Sequence, residues 1–316
     1  MTLFALLAAV SIVFPPEGAK LPYLERCYVM GAADGGEEVL GAGCVGLTAI
    51  ASQSVPGAGV TNRVTVGRTG AWATVIDVKP GTNVVEVGGA KRTFIVAARG
   101  TNETSVTNGT KKTYHKLEYA ADQAKPHPTG KKPGEITVAL DAGHGGHDKG
   151  ALSPHGRPEK DANLRLANAV RQELVKRGYK VVTTRDDDTF VELYDRPKVA
   201  HRANADLFVS VHHNAPGYAV NPFEVRSQSV YAWNELGEGL AKAINSRMAA
   251  ADPVLRNEGV LHANFAVTRN PEIPSCLIEA DYITHPDGEV AAWDDERRLR
   301  IAAAIADGIA DWVTGE

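Results

Sequence analysis

The chain has 316 residues, 43% of them hydrophobic and 23% charged, with a net charge of −4 at pH 7. This composition is globular, excludes a disordered or fibrous chain, and at this length suits two domains of roughly 100–200 residues each. A mildly acidic chain with 6% aromatic residues is a poor match for phosphate tracking or base stacking, so no nucleic-acid partner is expected.

Leu3 to Phe14 form a short apolar run, below the ~20 residues that span a bilayer and close to the apolar core of a secretory signal. No Lys or Arg precedes it and Pro15-Pro16 follows at once. Residues 1–10 are therefore read as an atypical export signal, with Ser11 to Phe14 open to a second reading as a first strand, and no integral membrane segment is expected elsewhere. From residue 11 to 99 the chain reads as short β-branched runs: 63–67, 71–77, 83–87 and 91–96. Each is bounded by Gly, Pro, Asn or Asp, and their spacing predicts a small all-β, sandwich-like accessory domain. Cys27 and Cys44 fall near this region, as a bridge or as two ordinary thiols; with Cys276 they make only three, and no C-x-x-C spacing supports a thiolate zinc site. Residues 100–134 are polar and broken by Lys, Pro and Gly, the pattern of a linker.

From residue 135 to 316 the rhythm changes. Strand-like runs at 136–140, 180–184, 206–212 and 275–279 alternate with helical patterns at 162–177, 195–204, 236–250 and 294–313. Such alternation predicts an α/β domain with a mostly parallel sheet flanked by helices, whose ligands bind beyond the carboxyl ends of the strands. Ionisable residues fall at that edge. The first strand runs into Asp141-Ala-Gly-His144-Gly-Gly146, the third into His212-His213-Asn214, and the fourth ends in Glu279, while Glu159 stands at the approach to the first long helix. Two imidazoles and a carboxylate form a ligand set for catalytic Zn²⁺, leaving a position for water whose pKa falls to ~7. A further carboxylate can carry that water's proton to a leaving amine. His213 competes with His212 as the ligand; alternation along the strand favours His212. Other divalent ions suit the same donors.

At these residues the chain, from about Ile136 to Val313, resembles the zinc-dependent N-acetylmuramoyl-L-alanine amidases. Asp141-Ala-Gly-His144-Gly-Gly146 matches the family's Asp-Pro-Gly-His-Gly-Gly apart from one Ala. Glu159-Lys160-Asp161, Thr184-Arg185, Ser210-Val-His212-His-Asn214 and Pro274-Ser-Cys-Leu-Ile-Glu279 match further motifs, whereas residues 280–286 depart from the usual Gly-Phe-x-x-Asn-Pro. The resemblance implies Zn²⁺ on His144, Glu159 and His212, with Glu279 as the catalytic carboxylate. It further implies peptidoglycan as substrate and hydrolysis of the amide between N-acetylmuramic acid and L-alanine. Arg269 and Asn214 are named as candidate substrate contacts. Two rival readings use the same residues: a zinc peptidase cutting within the stem peptide, and a wall-binding protein without catalysis. Only about twenty residues separate Asn214 from the helix at Leu236, so no inserted helix is expected to block the site.

Overall fold

The computed structural model describes residues 10–33, 47–53, 60–66, 69–99, 131–270 and 272–315. Most of the expected export signal (residues 1–9), Cys44 and most of the expected linker (100–130) lie outside the described residues. Cys27 is a buried free thiol.

Among the described residues, eight strands build the N-terminal half: β1 Val10–Phe14, β2 Ala19–Leu21, β3 Arg26–Ala33, β4 Leu47–Gln53, β5 Val60–Val66, β6 Ala71–Asp77, β7 Gly81–Val87 and β8 Ala90–Val96. They run in the order β1-β3-β6-β5-β4-β7-β8-β2. Residues from the two ends of this strip share one core: Ile12, Val29, Trp72 and Ile76 meet Val85, Val87, Phe94 and Val96. The Arg92 guanidinium donates to the Ile12 carbonyl, so the strip folds back on itself. Val10 pairs with Ala33 and is the first residue of β1.

The C-terminal half contains β9 Thr137–Ala142, α1 Glu159–Lys176, β10 Lys180–Thr183, α2 Arg196–Arg202, β11 Leu207–Asn214 and β12 Gln228–Ala232. It continues with α3 Glu235–Ala251, β13 Asn257–His262, β14 Ser275–Tyr282, α4 Pro286–Trp293 and α5 Asp295–Thr314. The sheet order is β10-β9-β11-β14-β12-β13. All neighbours are parallel except β12 against β14. Both faces are covered, which explains why the central strands are apolar throughout. On one face Leu140, Val209, Val211 and Ile278 pack under α1, α3 and α5. On the other, Ala139, Phe208 and Leu277 pack under Ala200 of α2 and the Val267 and Ile273 segment.

Register carries this two-sidedness to the carboxyl edge. Ser210 lies beside Asp141, and His212 beside Glu279. Side chains of paired residues share a face and alternate along a strand, so Asp141, Ser210, His212 and Glu279 all project to the α2 side. Asp141 is fully buried and anchors that edge. It accepts from Arg196 Nη1 at 2.8 Å, Thr184 Oγ1 at 2.6 Å and Ser210 Oγ at 2.6 Å. Removing one partner of a buried ion pair strands the other, at a cost of about 3–5 kcal/mol. Asp141→Ala should therefore lower the unfolding free energy by about that amount in a urea titration, with Asp141→Asn losing less because one hydroxyl can still donate to its carbonyl oxygen and the other can accept from its amide.

Candidate metal centre

Three segments deliver the candidate ligands. The first is the turn after β9. Arg185 donates to the carbonyls of Ala142, Gly143 and Lys160, and Arg196 to those of Ala142 and His144. Held this way, His144 adopts φ 60°, a left-handed conformation a non-glycine residue keeps only when its surroundings over-determine it. Its Nδ1 lies 2.8 Å from Asp148 Oδ2. Metal-binding imidazoles are commonly oriented by such a carboxylate on the far nitrogen, which leaves Nε2 facing the site.

The second segment is the start of α1. Pro158 presets the backbone just before the helix, and Glu159 occupies the first turn, where the helix end favours negative charge. Its side chain is buried, the residue 4% exposed. Ala151 N donates to Oε2 at 2.9 Å and Asn163 Nδ2, one turn on, to Oε1 at 3.0 Å. The third segment is the end of β11. His212 Nδ1 stands 2.9 Å from Glu159 Oε1, and His144 Nε2 stands 3.2 Å from Glu159 Oε2. His213 points to the opposite face, where it bonds Asn163 Oδ1; burial pushes its pKa down to about 4, and the adjacent imidazole is thereby kept apart from the cluster.

One donor atom each from His144, Glu159 and His212 lies within 4.8 Å of the others. A tetrahedral ion bonded at ~2.0–2.1 Å needs donors on the order of 3.3 Å apart, so the two carboxylate–imidazole separations fit. Burial works against the charge on Glu159, but hydrogen bonds from His144 and His212 outweigh it and hold the carboxyl well below its usual range. Burial likewise opposes the His144 cation, and the bonds to Glu159 and Asp148 carry it to about 9. The cluster thus demands positive charge. Beside it, the Glu279 carboxyl is held well above the usual range, first by burial and then by the charge of Glu159. Glu279 Oε2 is buried without a hydrogen-bond partner among the described residues.

The family model described as N-acetylmuramoyl-L-alanine amidase matches residues 138–311. The chain belongs to this family of peptidoglycan hydrolases. It is 32% identical to the N-acetylmuramoyl-L-alanine amidase AmiA of Escherichia coli over 225 residues, 57% of this chain and 76% of that one. It is 29% identical to the probable cell wall amidase LytH of Staphylococcus aureus over 77% of this chain and 79% of that one. Among solved structures, the amidase AmiC2 of Nostoc punctiforme aligns with a TM-score of 0.54 and 35% identity, covering 57% of this chain and 97% of that one.

Of the residues singled out in the sequence, His144, Glu159 and His212 converge, and Glu279 adjoins them through its pairing with His212. Asn214 ends β11 two residues beyond His212, its Oδ1 accepting from Ala215 N. Arg269 lies on the segment after β13, its guanidinium 6.0 Å from the Tyr194 ring centroid. The segment between Asn214 and α3 holds only a three-residue 3₁₀ turn, Pro222–Glu224, and β12, so no α-helix is inserted there. Sequence reasoning missed Asp148, Asn163 and Arg196 as parts of the site. Asn163 was within reach, because four residues on from Glu159 is the same helix face.

A Cβ on Gly143 would stand inside the His212 ring, whereas one on Gly217 would meet nothing within 4 Å. Gly143→Ala should therefore cost most of the bound metal by elemental analysis, and Gly217→Ala should retain it.

Proposed function

We infer that this chain holds Zn²⁺ on His144, Glu159 and His212 and hydrolyses the amide between N-acetylmuramic acid and L-alanine with Glu279 as proton carrier. The observation that carries this reading is the convergence of three neutral-or-anionic N/O donors beside a buried carboxyl with an unpartnered oxygen. The bound ion would supply Lewis-acid polarisation of the scissile carbonyl and acidify a water molecule. The residues do the rest. Asp148 fixes the His144 ring, and Asn163 with Ala151 N fixes Glu159, so the site is set before substrate arrives. Glu279 takes the proton of the attacking water and returns it to the departing amine of L-alanine. The acyl carbon thus leaves as the lactyl carboxylate of the sugar, and the stem peptide leaves with a free amino end. The high proton affinity of Glu279 in its buried setting suits the second transfer, and a cation nearby lowers that affinity for the first.

The half-exposed Arg269 offers a cation for a stem-peptide carboxylate, and Asn214 borders the ligand edge. A relative named as a cell wall amidase supports action outside the cytoplasm. No helix among the described residues is long and apolar enough to cross a membrane.

Glu279→Gln should keep zinc at the wild-type level and lose about 10²–10⁴-fold in turnover, the usual reach of general acid–base catalysis. Unchanged turnover would overturn its role. His144→Ala should lose the metal itself. Mass spectrometry of digested peptidoglycan should find stem peptides beginning at free L-alanine; cuts only within the stem would favour the peptidase reading.

A further inference from the structure

We propose that the N-terminal β domain is a working part of the active-site architecture: it clamps the segment 215–226, which leaves the His212 strand, and so sets one wall of the substrate cleft. This rests on the amidase reading for the identity of the cleft, but the clamp is visible in the contacts themselves.

Strand β3 supplies the first observation. In a two-layered β structure one face of a strand lines the core and the other meets water. Cys27 and Val29 do line the core. Tyr28 and Met30 point outward, yet Tyr28 is 5% exposed and Met30 fully buried. Together with Ala73 they form a second apolar cluster that includes Phe14 and Phe223. Phe223 belongs to the C-terminal half, so the outer face of the N-terminal sheet is covered by the segment that follows the metal-ligand strand.

The contact is specific. Tyr28 N donates to the Tyr218 carbonyl at 2.6 Å. The Phe14 ring stacks on Tyr28 at 4.5 Å and on Tyr218 at 5.9 Å. Aromatic pairs of this geometry add stabilisation beyond the area they bury. The segment itself has little to hold it in place. It contains one short turn, capped by Asn221, and a connection this long with so little regular structure is held by its surroundings or moves. Its ends are tied to the catalytic sheet: Asn214 O accepts from Ile283 N, and Arg226 makes paired bonds to the buried Asp281, two residues past Glu279. Between those ties, its described contacts to other elements are with the N-terminal sheet and, through Phe223, with His285 at 6.1 Å. A second joint flanks the other ligand segment. His155, four residues before Glu159, places its ring nitrogens 2.7 Å from the buried Glu289 and 3.0 Å from the Thr69 carbonyl of the N-terminal half. The accessory domain thus touches the approach to Glu159 and the exit from His212.

The test uses the full chain. Phe14→Ala removes the clamp from the N-terminal side, Tyr218→Ala from the segment side, and Tyr218→Phe keeps the ring. Hydrogen exchange of the amides of residues 217–224 should accelerate at least about tenfold in both alanine variants and stay near wild type in Tyr218→Phe. Zinc content should not change, while kcat/KM on peptidoglycan should fall roughly tenfold, mainly through KM, because a displaced cleft wall misplaces substrate rather than the reacting groups. Unchanged exchange in Phe14→Ala, or equal damage in Tyr218→Phe and Tyr218→Ala, would overturn the clamp. Exchange is read whether or not the chain turns over peptidoglycan, so failure of the clamp and failure of the amidase reading are separate results.

Discussion

The Glu159 carboxylate is the constraint around which the catalytic half is arranged. It is almost sealed from water and faces two imidazoles at 2.9 and 3.2 Å. A buried negative charge without compensation is very costly, so the site must hold positive charge, either as protons on the rings or as a metal ion. The neighbours fit that requirement. Gly143 and Gly150 clear the space that a side chain would take from His212, His144 and Glu159. Ala151 N and Asn163 Nδ2 donate to the two carboxylate oxygens. Glu279 shares the same pocket and feels the charge of Glu159, so hydrogen bonds hold one carboxyl below the usual range while burial and that charge hold its neighbour above it. Two carboxyls pushed in opposite directions by one environment is the arrangement that separates a ligand from an acid–base group.

That chemistry depends on a backbone that would not hold itself. His144 sits in left-handed space, and the conformation is kept by carbonyls on either side of it being gripped from below. Arg185 and Arg196 are 5% and 4% exposed and each gives two hydrogen bonds to the Ala142–His144 carbonyls. Arg196 is neutralised in turn by Asp141, itself fixed by Thr184, just past β10, and by Ser210 of β11. Strain at His144 is therefore balanced by a buried charge network reaching from β9 to β11, which is a use for buried ion pairs that does not require them to add stability overall.

The parts of this site that are legible in the sequence are those where residue type and strand end coincide. His144, His212 and Glu279 each follow or close an apolar run, and period-two alternation along the strand favours His212 over His213. Periodicity starts the first long helix of the catalytic half near Ala162, with Glu159 at its approach; the helix in fact begins at Glu159 because Pro158 supplies the entering geometry. Asp148 and Asn163 are hidden because an Asp in a turn and an Asn on a helix have ordinary surface explanations. Strands β12 and β13 escape the pattern for a related reason. Gln228, Ser229, Asn257 and Glu258 break the apolar run, and only pairing with β14 makes a strand of the first and pairing with β12 a strand of the second. Sequence distance alone does not position Arg269, which the chain after β13 sets beside Tyr194.

The relation between the two halves follows from the same kind of accounting. A domain joined by a polar linker would ordinarily stand free, with a wet outer face. Strand β3, Arg26-Cys-Tyr-Val-Met-Gly-Ala-Ala33, is apolar on both faces, a pattern that a freestanding sandwich cannot satisfy without exposing Tyr28 and Met30. The burial of both residues against Tyr218 and Phe223 resolves that conflict. It also explains why the segment 215–226 can be long and nearly devoid of regular structure at the edge of a catalytic sheet without its own hydrophobic core. The apolar surface missing from the segment is supplied by the other domain, and the excess on the outer face of β3 is the counterpart of that deficit.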